Sequence, residues 1–369
     1  MKPIALIGGG RWSRTWLQVL YGQNVPVVWF SQHGFKQNQD WLKSNPAYVG
    51  VTLTESFEDV LTADVQATII ATASHTHFDF CQKILNHNKP VLVEKPACYN
   101  AKQAKVLCDL AAEQSVPVGV NMEFIYASYL QDFNTLLQQN EITPESIEII
   151  WHDPFKEERA GEVKYSDVYT PLMHDHGSHC WSILAVLLGQ ENAKNIDVEK
   201  VIYHENTRVE VHATCGKSRI LLSLHRRAQK RERHISINDE ARLDFSPEPG
   251  TITIHDYKQQ NSWRGERPLT ASFNAFLGQI NHPENTPEWP TSLPNTLAAI
   301  EFCSHAQDLL DEAIEEQISI ITGIRLENML VDLYAPKLAE QGKRLPAQSD
   351  EDQAAFAEYI SQEVLKNQS

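Results

Sequence analysis

The run Pro90-Val91-Leu92-Val93-Glu94-Lys95-Pro96 decides the fold. Val91, Leu92 and Val93 are consecutive apolar residues and two of them are β-branched, which suits a strand buried on both faces. Proline disfavours the α region for the residue before it, so Lys95 is expected to be extended at the strand's end rather than to open a helix. In an open parallel sheet, ligands bind outside the carboxyl ends of the strands. A lysine fixed there can offer hydrogen bonds and positive charge to a phosphate, a hydroxyl or a developing alkoxide. Taken alone, the tripeptide reads as a solvated lysine beside a turn proline. The segments on either side change that reading.

Upstream, Ile4 to Ile7 reads as a short buried strand, followed by Gly8-Gly9-Gly10-Arg11-Trp12-Ser13 and an amphipathic helix from about Arg14 to Leu20. Strand, glycine turn and helix in that order form a dinucleotide-binding fingerprint. Gly8 makes the turn, and Gly10 lets the backbone approach a pyrophosphate resting on the helix N-terminus. Ser13 stands where the fingerprint has its third glycine. The next strand, Pro26 to Phe30, ends in Ser31-Gln32-His33-Gly34-Phe35-Lys36, with no acidic residue to grip the ribose hydroxyls of NAD. Ser31, with His33 and Lys36, could accept the additional phosphate of NADP. Helices are expected at Trp41 to Asn45 and Phe57 to Leu61. A strand at Ala67 to Ala71 leads into Thr72-Ala73-Ser74-His75-Thr76-His77, which places His75 and His77 at a further strand end. Helices at Phe78 to His87 and Ala101 to Gln114, and a strand from Pro117 to Val120 ending at Asn121, complete a doubly wound parallel sheet.

Beyond Asn121 the pattern changes. Ile147–Asp153, Val198–His204, Val209–Thr214, Ile220–His225, His234–Asn238, Arg242–Phe245 and Thr251–Tyr257 are short, mostly alternating segments divided by turn residues. They predict an antiparallel meander with one covered face. Helical patterns return near Leu269–Gln279 and Leu293–Glu315. The basic run Arg226, Arg227, Lys230, Arg231, Arg233 reads as a solvated strand edge. A polar tail follows from about Lys343, with a helical pattern at Asp352–Leu365. Between these strands lies His174-Asp175-His176-Gly177-Ser178-His179, leading into an apolar run closed by Gly189. A helix over Asp175 to Leu188 puts Asp175 and His179 at i and i+4, on one face. Histidine titrates near neutrality and can take a hydroxyl proton while hydride leaves the same carbon. The competing reading is an aspartate N-cap with a packed histidine. A metal held by His174, His176 and His179 is not expected, because the spacing matches no helical metal motif.

The 369 residues allow about two domains. With 42 % hydrophobic and 22 % charged residues, the composition is that of an ordinary globular protein. A net charge of −16 argues against nucleic-acid and anionic-membrane partners. Six scattered cysteines suit reduced thiols in a cytoplasm. The start fits no signal peptide, and no apolar run has membrane-spanning length.

Gly8-Gly9-Gly10-Arg11-Trp12, Ala71-Thr72 with His77, Glu94-Lys95-Pro96 and Asp175-His176-Gly177-Ser178-His179, in this order, resemble the glucose–fructose oxidoreductase, inositol dehydrogenase and rhizopine-catabolism (Gfo/Idh/MocA) oxidoreductases. The resemblance implies an α/β fold with an N-terminal Rossmann domain at 1–122. It also implies a C-terminal α+β domain with a large open antiparallel sheet at 123–342, followed by the tail at 343–369. It implies NAD or NADP as cofactor, a sugar or cyclitol as substrate, and a homodimer or homotetramer formed through that sheet. The implied catalytic residues are Lys95, Asp175 and His179. The implied cofactor contacts are Gly8, Gly10, Arg11, Trp12, Ser13, Ser31, Thr72, His75, His77, Glu94, Lys95 and Asn121. The chain departs from the family pattern at Met122-Glu123, where an arginine is common, and at Ser182, where an aspartate is usual. Both departures bear on the substrate. Reduction of a C=N or C=C bond, or a dinucleotide-binding sensor without turnover, are the competing functions; Lys95, Asp175 and His179 together favour an enzyme.

Overall fold

The computed structural model describes residues 2–159, 162–204, 206–255, 257–261, 263–282, 289–318, 324–343, 355, 356, 358–360 and 362. The chain divides into two units, one of residues 1–126 and 266–300, the other of residues 127–265 and 301–369.

The first unit is built on strands β1 (Ile4–Ile7), β2 (Val27–Phe30), β3 (Val51–Thr54), β4 (Ala67–Ile70), β5 (Val91–Glu94) and β6 (Val118–Asn121). They pair in parallel in the order β3-β2-β1-β4-β5-β6. The reversal between β1 and β4 is the point at which doubly wound sheets bind dinucleotides. Helices α1 (Arg11–Gly22), α2 (Phe35–Ser44), α3 (Phe57–Thr62), α4 (His77–Leu85) and α5 (Ala101–Gln114) make the crossovers. Strands β1, β4, β5 and β6 are buried along their whole length because helices cover both faces. Strand β3 was not expected: it is a half-polar Val-Thr-Leu-Thr edge with no fully buried residue, so it gives no apolar run to read. Helix α2 begins at Phe35, ahead of the start expected at Trp41.

In the second unit, α6 (Ser128–Gln139) precedes β7 (Ser146–Pro154) and a small hairpin of β8 (Lys156–Arg159) and β9 (Glu162–Tyr165). Helices α7 (Ser178–Leu188) and α8 (Gln190–Ala193) follow. Then come β10 (Asp197–Tyr203), β11 (Val209–Cys215), β12 (Ser218–Ala228), β13 (Glu232–Ile237), β14 (Ala241–Asp244), β15 (Thr251–Ile254) and β16 (Tyr257–Gln260). The large sheet has the order β10-β11-β12-β7-β13-β14-β15-β16. It is mixed rather than a pure meander, because β7 lies between β12 and β13 and runs parallel to β12. The long excursion after β7 allows that insertion, since a parallel neighbour needs a crossover. Apart from Lys230, which is exposed, the basic run is consequently buried or half-buried. Arg226 and Arg233 are buried, and Arg226 donates to the carbonyls of Asp167 (2.8 Å) and Thr170 (3.2 Å). Arg227 pairs with Asp332 at 2.6 Å. A solvated edge is therefore the wrong description.

Helix α9 (Pro268–Asn281) joins the first unit. Its Leu269, Phe273 and Phe276, with Trp289, pack among Leu6, Trp16, Leu20 and Trp29. Residues 291–293 bond to β6 through Val120 N–H to Thr291 O (2.8 Å) and Leu293 N–H to Val118 O (2.9 Å). The sequence reading had assigned this segment to the second domain; its aromatic side chains complete the Rossmann core instead. Helices α10 (Leu297–Ile318) and α11 (Ile324–Glu340) close the chain's main body. The polar tail lies mostly outside the described residues, but Phe356 and Ile360 are buried in a cluster with Val168, Tyr169, Leu330 and Ala335. Those residues of the tail are packed.

Candidate active site

The glycine turn sits at the carboxyl end of β1, and its residues have different tasks. Gly8 has a φ of 140°, and a Cβ there would collide with the carbonyl of Ala71 and lie 2.6 Å from Ser13 Oγ. Its conformation and its space both exclude a side chain. Ser13 is fully buried and bonds to Ala71 O at 3.4 Å, so it closes the helix–strand contact in place of the third glycine. Gly10, the N-cap of α1, is extended (φ −88°, ψ −173°), a conformation open to any residue. A Cβ added at Gly10 would meet nothing within 4 Å. The protein itself therefore does not need a glycine there, and the open space faces the end of a helix whose first amides lack intrahelical partners. Arg11 and Trp12, both exposed, flank this space. A pyrophosphate fits this arrangement.

Ser31 is placed differently from expectation. It is fully buried, donates to His33 O (2.9 Å) and accepts from Asn38 Nδ2 (2.9 Å). Asn38 also donates to Gly9 O (3.0 Å), so Ser31 and Asn38 tie the loop after β2 to the glycine turn. Arg14, not noticed in the sequence, bonds to Asn38 Oδ1 through Nη2 (3.1 Å) and stacks over Trp41 at 5.4 Å. Together with exposed His33 and Lys36, it makes this side of the turn cationic.

At the ends of β4 and β5, His77 is a tie rather than a ligand group. It is buried, with Nδ1 2.7 Å from Pro96 O and Nε2 3.2 Å from Thr72 O. Burial holds its pKa down to about 4, against the two carbonyls, which favour the charged ring. A neutral imidazole has one N–H, and the shorter contact assigns it to Pro96. Thr72 Oγ1 accepts from Thr76 (2.7 Å), and His75 is half-buried in the turn between them. Glu94 is also buried; Oε1 accepts from Trp16 Nε1 (2.8 Å) and Asn121 Nδ2 (2.9 Å). Burial raises its pKa, opposed by those two donors. Lys95 is half-buried and lies between these two anchored residues, across a cis bond to Pro96. Asn121 keeps a buried Oδ1 with no protein partner, an acceptor suited to a ligand N–H or hydroxyl.

In the second unit, the turn Met173–Gly177 is a π-helical turn that leads directly into α7. Asp175 lies inside it with its N–H on Pro171 O (3.0 Å). That placement rules out the N-cap reading. Turns of this kind recur at functional sites. From Val168 to Ala185 every residue is buried except Asp175 and His179, which are half-buried. The His179 ring lies flat on Trp151, with centroids 4.8 Å apart and planes 9° apart. Trp151 donates from Nε1 to Asp153 Oδ2 (3.1 Å), and Asp153 pairs with Arg233 through 3.1 and 2.5 Å bonds. His176 Nε2 lies 3.5 Å from Asp175 Oδ2 and 3.8 Å from Asp153 Oδ2. Burial holds the His176 pKa down to about 4, although the two aspartates oppose it. Burial alone would raise Asp153, but Arg233, followed by His176, overrides it and holds the pKa near 2. His174 is buried and likewise held down to about 4. Among the described residues, no group of three or more His, Cys, Asp or Glu could hold a metal ion, and no helix is long and apolar enough to cross a membrane.

Trp16, Trp151, Asp153 and Arg233 were missed from the sequence. A signal existed for Asp153: it continues the inward side of Ile147, Ile149 and Trp151. A carboxylate there needs a buried cation.

Residues 2–122 match the model of the oxidoreductase family with NAD-binding Rossmann fold. An uncharacterized oxidoreductase of Escherichia coli, YhhX, is 31 % identical over 115 residues, 31 % of this chain and 33 % of that protein. Glucose-6-phosphate 3-dehydrogenase of Bacillus subtilis is 26 % identical over 143 residues, 38 % of this chain and 39 % of the relative. The alignments thus span between a third and two fifths of these relatives. Among solved structures, UDP-N-acetylglucosamine 3-dehydrogenase from Acidithiobacillus ferrooxidans superposes with a TM-score of 0.65 at 15 % identity, covering 85 % of this chain and 98 % of that one. A 3-ketoreductase from Actinomadura kijaniata, solved with NADP and TDP-benzene, gives 0.67 at 15 % identity, covering 83 % and 97 %. At such identities the likeness is one of fold.

Proposed function

We propose that the chain, whose residues 2–122 match the oxidoreductase family with NAD-binding Rossmann fold, moves hydride to or from the hydroxyl-bearing carbon of a sugar-like or cyclitol molecule. The observation that carries the reading is the open space at Gly10, which no packing demand of the protein explains. The amides of Arg11, Trp12 and Ser13 bind the pyrophosphate there, and Asn121 Oδ1 accepts from the ligand at the far end of the sheet. The bound dinucleotide supplies the hydride acceptor or donor. Lys95 donates to the reacting oxygen and stabilises negative charge on it. His179 takes the hydroxyl proton during oxidation and returns it during reduction, and Asp175 orients the imidazole or the substrate. The B. subtilis relative acts, by its name, on glucose 6-phosphate, which makes hexoses and hexose phosphates the first substrates to try.

The test is a thermal-shift screen with NAD and NADP, followed by absorbance assays at 340 nm with sugars, sugar phosphates, sugar nucleotides and cyclitols. Stabilisation by a dinucleotide and turnover of a polyol support the proposal. No stabilisation by either dinucleotide would overturn it.

A further inference from the structure

We propose that Trp151, Asp153 and Arg233 are positioning residues for His179: an ion pair clamps the indole, and the indole holds the imidazole flat. The inference rests on the proton-transfer role proposed above for His179.

Strand register assembles the clamp. Arg233 on β13 is the cross-strand partner of Trp151 on β7, and Asp153 lies two residues further along the same side of β7. The guanidinium carbon of Arg233 lies 3.9 Å from the Trp151 ring centroid, and the His179 ring is stacked on that indole at 4.8 Å. Asp153 accepts from both Trp151 Nε1 and Arg233, which ties ring and cation into one unit. Phe245 packs edge-on against Trp151 at 5.8 Å and stacks on Tyr129 at 6.2 Å, so the indole has little room to rotate. Such a platform limits His179 to one ring plane, and proton transfer depends on that plane.

The clamp also sets local charge. Asp175 and His176 share the turn of His179, and Asp153 on β7 and Arg233 on β13 hold the indole beneath it. Arg226 acts on His176, Arg231 acts on Asp153, and Glu248 lies 3.9 Å from both Arg231 and Arg233. His176 is neutral at pH 7, so the Asp153–Arg233 pair is the charge-balanced element beside the stacked ring. Removing the carboxylate alone would leave Arg233 with only the longer 3.9 Å contact to Glu248, a shift toward positive charge beside the stacked ring that disfavours imidazolium. Removing both members would restore neutrality. A merely structural role predicts no such reversal.

The experiment is a 15N-histidine NMR titration of the full chain, with His179 assigned by its loss in His179→Gln. In Asp153→Asn, the His179 midpoint should fall by roughly half to one pH unit. In Asp153→Asn/Arg233→Met, it should return toward the wild-type value. Turnover gives a second readout. Trp151→Leu should lower kcat by about tenfold or more with the dinucleotide Kd unchanged, and Trp151→Phe should recover most of that loss. An unmoved midpoint in Asp153→Asn, or no return in the double variant, would overturn the clamp, and the double variant decides the matter even if Trp151→Leu fails to fold. If His179→Ala leaves turnover intact, the proton-transfer reading fails instead. The titration needs no substrate and separates the two failures.

Discussion

Replacing Gly10 with valine separates binding from folding. The turn at Gly10 is extended, any residue can adopt it, and a Cβ would meet no protein atom within 4 Å. The stability cost should therefore be small, under about 1 kcal/mol, since glycine is only a modest N-cap. The binding cost should be large. The isopropyl group would occupy the space in front of the α1 amides, where a pyrophosphate oxygen must lie to receive its hydrogen bonds. Hydrogen bonds to a charged group contribute about 1.5–3 kcal/mol each, so losing two removes roughly 3–6 kcal/mol. That corresponds to a Kd weakened by about 10²- to 10⁴-fold. Gly8→Ala is the control with the opposite pattern. Its Cβ would strike Ala71 O at a φ of 140°, so it should damage folding itself. Melting curves and titration of reduced dinucleotide by energy transfer from tryptophan measure both quantities. If Gly10→Val melts like wild type and still binds both dinucleotides with native affinity, the glycine turn is not the pyrophosphate site.

His179→Ala should lower kcat by about 10²–10⁴-fold with the dinucleotide Kd little changed. Lys95→Ala should also lose turnover, whereas His174→Ala should cost far less; steady-state kinetics on a substrate from the screen would show the order, and a chelator should leave the rate unchanged. NADP should bind at least as tightly as NAD, because the loop after β2 has no acid and Arg14, His33 and Lys36 surround it; paired calorimetric titrations test this, and a clear NAD preference counts against it. His77 gives a pH prediction. Its folded pKa of about 4 lies below its unfolded value, so the unfolded chain binds more protons and stability falls as pH drops from 6.5 toward 4. By pH 5 the loss from this residue is about 2 kcal/mol. Urea melts of wild type and His77→Gln at pH 7.5 and 5 should show the smaller loss in the variant.

The first sheet was legible wherever a strand is buried on both faces. Ile4–Ile7, Ala67–Ile70 and Val91–Glu94 announce themselves as apolar runs ending at polar punctuation. Val51–Thr54 does not, because an edge strand has no need of full burial. In the second sheet the strands were legible but their order was not: alternation marks a covered face and says nothing about which neighbour covers it. The insertion of β7 beside β12 comes from chain topology. The same limit explains the basic run, since Arg233 resembles any surface arginine until β7 brings Asp153 beside it. Residues whose chemistry follows from backbone position, such as Gly10 and Lys95, could be singled out from the sequence. Trp16 and Trp151 could not, because each acts through a partner distant in the chain.

The return of α9 and residues 289–293 to the first sheet has a consequence for biosynthesis. When a ribosome has released residue 126, all six parallel strands exist, but Leu269, Phe273, Phe276 and Trp289 have not been made. Until they emerge, the face of α1 carrying Trp16 is uncovered and β6 is an open edge. At roughly 5–20 residues per second, that interval lasts on the order of ten seconds or more. An uncovered apolar face beside an unpaired strand is a hazard for self-association, and a fragment ending at residue 126 would keep it permanently. The first unit is therefore complete only after residues 127–265 of the second have been synthesised, while residues 301–369 are still to come.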